Sequence, residues 1–212
     1  MKKMNSIARN KNGKGKEYYC FESNFNEIYY NKEKLNEIII LNNNIKLKFE
    51  GEYLSGERNG KGKEYDKEGK LLFEGEYLNG LKSGKGKEYY MNGRIKFKGE
   101  YLNDKKWNGK GYDYNGNEIY EIKEGKGYVK EFYSDGSLLF EGEYLNGEKI
   151  GKGIEYLHGK LIFKGEYLNG ERNGKGKEYY DNGEIKFEGK YLNGKRLKGK
   201  EYNFNGDLIF EG

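Results

Sequence analysis

One phrase returns along this chain of 212 residues: GEYLSGERNGKGKEY from Gly51, GEYLNGLKSGKGKEYY from Gly75, GEYLNGEKIGKGIEY from Gly142 and GEYLNGERNGKGKEYY from Gly165. Self-similarity at a fixed period means that each unit buries its apolar face against its neighbours, so the chain is an array rather than one thick globule. The matching tyrosines Tyr53, Tyr77, Tyr101, Tyr144, Tyr167 and Tyr191 are separated by 24, 24, 43, 23 and 24 residues. The long interval holds two units, one of them shortened near Glu121–Gly127. Upstream, Gly13–Tyr19 lies 47 residues before its counterpart at Gly60, which leaves room for a degenerate unit between Asn26 and Leu47. About nine units therefore span residues 13–212, degenerate over 13–50, after a polar N-terminal segment of residues 1–12.

Within a unit Leu47, Phe49, Gly51 and Tyr53 share one parity, while Lys48, Glu50 and Glu52 share the other. Period-2 alternation of this kind marks a half-buried strand with an aromatic face and a charged face. The order returns in Leu71-Phe73-Gly75-Tyr77 and Leu161-Phe163-Gly165-Tyr167. A second strand of the form Gly-Lys-Gly-Lys-Glu-Tyr follows, its glycines leaving room for rings to lie over them. Gly86 and Tyr89 cannot share a face of a regular strand, so a bulge is expected near Lys87-Glu88. The connections alternate between a longer one, as at Asn79–Gly84, and a tight one, as at Asp181–Gly183, and Asn-Gly is a strong hairpin signal. The expected fold is all-β: an elongated repeat array of antiparallel β-hairpins, roughly eighteen short strands in a single twisted meander sheet.

Composition fits that thin architecture. Only 34% of residues are hydrophobic against 35% charged, yet aromatics reach 16%, too many for a disordered chain. With 34 glycines and no proline, long helices are excluded. The net charge of +5 is spread without a polybasic tail, which argues against nucleic acid as a partner. Cys20 is a lone cysteine, and Met1–Arg9 lacks the apolar stretch of a signal peptide, so a reducing, cytoplasmic location is expected. The longest apolar run, Ile38–Leu41, is too short to span a bilayer.

Catalytic chemistry finds no footing. The single histidine, His158, sits in a turn position, and Cys20 among aromatics reads as a small core residue. Asp113, Asn115, Asn117 and Glu124 fall at calcium-loop spacing, but Glu118 replaces the required glycine and strands replace the flanking helices. Gly-Lys-Gly lacks the Ser/Thr and helix of a phosphate loop. Glu74 and Glu76 read as members of weak cross-strand ion pairs on the solvent face. The expectation is a protein that is not an enzyme, with no cofactor and no metal.

Binding residues are easier to nominate. Arg58, Lys82, Lys105, Lys106, Lys149, Arg172, Lys195 and Arg196 recur at one place in the longer connections, and would stack into a basic row along one edge, diluted by Glu57, Glu148 and Glu171. The row is either a solvated edge or a contact for an anionic partner. Trp107, in an inserted loop, is either an exposed contact or a prop beneath the shortened unit. The aromatic face is either buried by the sheet's own curl or left open as a binding surface.

The recurring Phe-Glu-Gly-Glu-Tyr-Leu-Asn-Gly followed by Gly-Lys-Gly resembles the MORN repeat (membrane occupation and recognition nexus), over roughly residues 13–212. Glu64, Glu88 and Glu178 stand where that repeat usually has an aromatic residue, which looks like the variant repeats of bacterial antitoxin-like proteins. The resemblance implies a hairpin array without catalytic residues that serves protein interaction and scaffolding, with phospholipid contacts in some members. The favoured expectation is a non-catalytic scaffold with a protein partner. Acidic phospholipid binding by the basic edge, and antitoxin-like inhibition of a partner enzyme, are the alternatives. The final strand at Ile209–Gly212 offers an open hydrogen-bonding edge, so homo-association through it is expected as well.

Overall fold

A computed structural model describes residues 12–20 and 45–212. The N-terminal segment before residue 12, the degenerate stretch from Asn26 to Asn44, and the side chain of Cys20 lie outside the described residues. Among the described residues sixteen strands form two antiparallel meanders in which each strand pairs with its neighbour in sequence order. The first contains β1 (Gly13–Cys20), β2 (Ile45–Leu54), β3 (Glu57–Tyr65), β4 (Leu71–Leu78), β5 (Leu81–Tyr89), β6 (Ile95–Leu102), β7 (Lys105–Tyr112) and β8 (Glu118–Ile122). The second contains β9 (Gly127–Phe132), β10 (Leu138–Leu145), β11 (Glu148–Leu157), β12 (Lys160–Leu168), β13 (Glu171–Tyr179), β14 (Ile185–Leu192), β15 (Lys195–Tyr202) and β16 (Leu208–Glu211). By contacts the chain divides into two compact units, Met1–Gly93 with Tyr101–Asp104 and Arg94–Glu100 with Lys105–Gly212.

The hairpin meander is as expected, but it comes as two sheets rather than one. The break falls at the shortened unit, where β8 has Tyr120 opposite Gly111 and Ile122 opposite Gly109. Elsewhere those positions hold Gly and Tyr, as in Gly75 opposite Gly62 and Tyr77 opposite Gly60. With no Phe two residues before the glycine position, Tyr120 stacks nearly parallel on Phe97, at 6.4 Å and 21°. Beyond β8 the chain reverses at Glu124-Gly125, and only the Lys123–Lys126 bridge extends the ladder there.

Turn chemistry reverses the expected assignment of connections. The stretch that reads as the longer connection holds the two-residue turn: Asn79 and Gly80 have φ of 49° and 83°, and Asn169 and Gly170 have 51° and 84°. The strand resumes at once, so Leu81 and Glu171 already pair with Leu78 and Leu168. The remaining glycine of that stretch sits in a bulge. Gly84, with φ 95°, lies opposite Glu76, whose carboxylate accepts the Lys85 amide at 2.9 Å. Glu166 does the same for Lys175 at 2.7 Å. Asp181–Gly183, the supposed tight turn, is a three-residue loop closed by Gly183 N–H donating to Tyr180 O, with Gly183 at φ 89°.

The second bulge lies one step beyond the expected Lys-Glu position. Glu64 pairs with Phe73 but Tyr65 with Leu71, so the register slips at the Glu-Tyr step. Glu64 therefore stays on the aromatic face with Gly62. Tyr65 belongs to the charged face, where its hydroxyl donates to Glu50 at 2.7 Å.

Candidate functional site

The aromatic face is buried, and the rings pack edge to face in two unbroken zigzags. Tyr53, Phe49, Tyr77, Phe73 and Tyr101 form one, with centroids 5.3–5.7 Å apart. Tyr144, Phe140, Tyr167, Phe163, Tyr191 and Phe187 form the other, at 5.2–6.0 Å. Phe49, Phe73, Phe140 and Phe163 each meet the Tyr of their own strand and the Tyr of the next unit, and an edge-to-face pair contributes about 0.5–1.5 kcal/mol beyond its burial. The paired glycines are the floor. A Cβ on Gly62 would fall 2.4 Å from the Phe49 ring, and one on Gly75 would meet both Phe73 and the Gly86 backbone.

The basic row closes this face. Arg58 lies over Phe49 at 4.0 Å, Lys82 over Phe73 at 4.1 Å, and Lys106 over Phe97 at 4.9 Å. Lys149 and Arg172 sit 4.0 Å above Phe140 and Phe163, and Arg196 sits 4.5 Å above Phe187. All six are the second residue of their strands, just after the two-residue turn, and their parity turns them inward. Such contacts contribute about 0.5–2 kcal/mol each, more as water is excluded. The row is thus not a string of cations in exposed loops. It forms a lid over the rings, in place of the self-covering curl considered above.

Inward-facing glutamates complete the lid. Arg58 bridges Glu17 at 3.0 Å and Glu64 at 2.6 Å, and Lys82 reaches back to Glu64 at 3.2 Å. In the second sheet Arg172 joins Glu155 to Glu178, and Arg196 joins Glu178 to Glu201. Tyr53, Tyr167 and Tyr191 donate their hydroxyls to Glu17, Glu155 and Glu178 at 2.7–2.9 Å. Burial by itself would raise the carboxyls of Glu17, Glu155 and Glu178, but the hydrogen bonds from arginine and tyrosine outweigh it and hold all three below their ordinary value. Glu in place of the usual aromatic residue is therefore the anion of an alternating ladder.

Trp107 lies apart from the ladder. Its carbonyl accepts the Gly125 amide at 2.8 Å, and its half-buried ring lies so close to Gly125 that a Cβ there would come within 2.9 Å. It is the prop under the shortened unit's turn.

A regular row of exposed apolar residues is one feature that the sequence reading passed over. Leu54, Leu78 and Leu102 in one unit, and Leu145, Leu168 and Leu192 in the other, stand 42–55% exposed. Each follows an inward Tyr and precedes a two-residue turn, so each unit carries a row of leucines on its charged face beside the turns. The signal was present in every Gly-Glu-Tyr-Leu and in Gly189-Lys190-Tyr191-Leu192, where an apolar residue follows Lys or Glu on their own parity.

The remaining candidates are structural. His158 occupies a turn at φ 49° and stacks on Tyr133. Asp113 accepts the amides of Asn115 and Asn117, which closes a turn rather than a calcium loop. Among the described residues no group of three His, Cys, Asp or Glu side chains could hold a metal, and no helix is long and apolar enough to cross a membrane.

A family model described as MORN repeat matches residues 49–70, 73–93, 140–157 and 163–185. The chain carries MORN repeats at these four positions. The units of Phe97 and Phe187 place a cation over the ring in the same way, although their phenylalanines lie outside the matched segments. MORN repeats are known from scaffolds that interact with proteins and membranes, and the family is generally non-catalytic. No curated protein sequence matches the chain closely enough to count as a relative.

Proposed function

We propose that this MORN-repeat chain is a non-catalytic scaffold that engages a protein partner through its rows of exposed leucines. The observation that carries the reading is the regularity of that exposure. The six leucines recur at one position of the unit while every equivalent phenylalanine from Phe49 to Phe187 is buried. Scattered surface leucines are ordinary, whereas an ordered row is the pattern of an interaction surface. Phospholipid binding by the basic row is the weaker reading, because Arg58, Lys82, Lys149, Arg172 and Arg196 are held over rings and against glutamates. Quantitative pull-down from the source cell, with wild type beside Leu54→Ser/Leu78→Ser and Leu168→Ser/Leu192→Ser, tests the proposal. The expected outcome is one partner lost with the leucine variants, retained as salt rises, and no change in thermal stability. A partner captured equally well by all three chains would end the leucine-row reading.

A further inference from the structure

The charged face is not charged in the same way throughout. Across β1–β5 its cross-strand partners alternate in sign: Lys16 opposite Glu50, Glu50 opposite Lys63, Lys63 opposite Glu74, and Glu74 opposite Lys87. Across β12–β15 the alternation holds at Lys177, Glu188 and Lys200 but fails at two places. Lys164 stands opposite Lys177, and Lys190 stands between Lys175 and Lys198. The cause is two residues. Lys164 and Lys190 occupy positions held by Glu74 and Glu76 in β4. Like charges directly opposite on a sheet are destabilising, so this arrangement lowers stability where the β1–β5 pattern would raise it.

Lys164, Lys175, Lys190 and Lys198 are exposed, and none has an ion pair among the described residues. The carboxylates beside them are already engaged: Glu188 by Lys177 and Tyr202, both at 2.8 Å, Glu211 by Lys200 at 3.4 Å, and Glu166 by the Lys175 amide at 2.7 Å. Between the lysine rows runs a line of cross-strand glycines, Gly165, Gly176, Gly189 and Gly199. Lys164, Lys175, Lys190 and Lys198 line an open recess of about 800 Å³ whose floor is the backbone of Gly176, Gly189, Gly199 and Gly212.

We propose that this lysine-walled, glycine-floored trough across β12–β15 binds an acidic peptide segment in extended conformation. A peptide backbone is narrow enough to lie on the glycines while its carboxylates reach the lysines on either side. A bilayer surface is flat and would meet only the lysine tips. Single-stranded nucleic acid stacks its bases on a succession of rings, whereas the recess is lined by one, Tyr179, and Phe163, Tyr167, Phe187 and Tyr191 are buried on the opposite face. The trough is independent of the leucine rows and would act even if those engaged nothing.

The test is fluorescence anisotropy of a labelled oligo-glutamate peptide with the full chain at low salt. Lys164→Glu/Lys190→Glu restores the alternation of sign, and Lys67→Glu/Lys70→Glu makes the same charge change at an exposed turn in the other unit. The trough variant is expected to lose about tenfold in affinity, equivalent to ~1.4 kcal/mol, and to melt at a higher temperature than wild type. The turn variant is expected to bind as wild type does. An equal loss in both variants, absence of binding by the wild type, or tighter binding of a single-stranded oligonucleotide or of phosphatidylserine vesicles than of the peptide would each overturn the proposal.

Discussion

Glu178 shows how much rests on one side chain. It accepts from the Tyr191 hydroxyl at 2.9 Å, pairs with Arg196 from β15, and lies 3.5 Å from Arg172 on its own strand. Removing its charge leaves two guanidiniums facing one another above the rings with a shared neutral acceptor. Glu178→Gln is therefore expected to cost about 1–3 kcal/mol in urea denaturation, whereas Glu171→Gln, at an exposed turn, should stay within about 0.5 kcal/mol. Equal effects would mean that the ladder is ornamental. The residues of the ladder were legible as a recurring row, but their role was not. Arg58 reads as a loop cation because its sequence neighbours are Glu57 and Asn59, while the ring it covers, Phe49, sits on the preceding strand. Only the inward parity set by the turn at Ser55-Gly56 brings the two together.

At the level of strands and turns, alternation was the reliable guide. Leu71-Phe73-Gly75-Tyr77 declares its buried face without any knowledge of the fold, and the structure keeps that face. The turns were harder, because Asn-Gly and Asp-Asn-Gly both announce reversal, and the glycine of the β5 bulge made a two-residue turn look long. What separates the two kinds of glycine is what a side chain would meet. Gly75→Val or Gly165→Val drives atoms into a Phe ring and the facing glycine backbone, all within 2.6–2.8 Å of a bare Cβ. Overpacking of this kind destabilises by about 1–3 kcal/mol or more. Gly183, with nothing within 4 Å, should accept Asn at small cost despite its φ of 89°. Thermal melts of the three variants would show the ranking, and a Gly183→Asn chain less stable than Gly75→Val would contradict this account of the core.

For the whole molecule, the ladder and the outer tyrosines set a window of pH. Glu17, Glu155 and Glu178 ionise below their ordinary value of 4.5 in the folded chain, so their stabilisation is complete above that value and is lost as pH falls through the lowered folded values. Tyr65 behaves in the opposite sense. Burial first, and then its bond to Glu50, push its hydroxyl from 10.0 up to about 12, so its stabilisation is full below 10 and disappears as pH rises toward 12. Melting temperature followed by circular dichroism should form a plateau between these limits, and a steady decline from neutrality to about pH 5 would speak against the buried ion pairs. The same ladder has an arithmetical property. On the inner face each full period contributes one positive and one negative group, and each guanidinium or ammonium leans on the carboxylate of the period before it. Copying slippage in the gene that adds or drops one whole period therefore restores an identical junction, with every charge still opposite its counter-charge, so the number of repeats is free to vary while the chemistry of the seam stays constant.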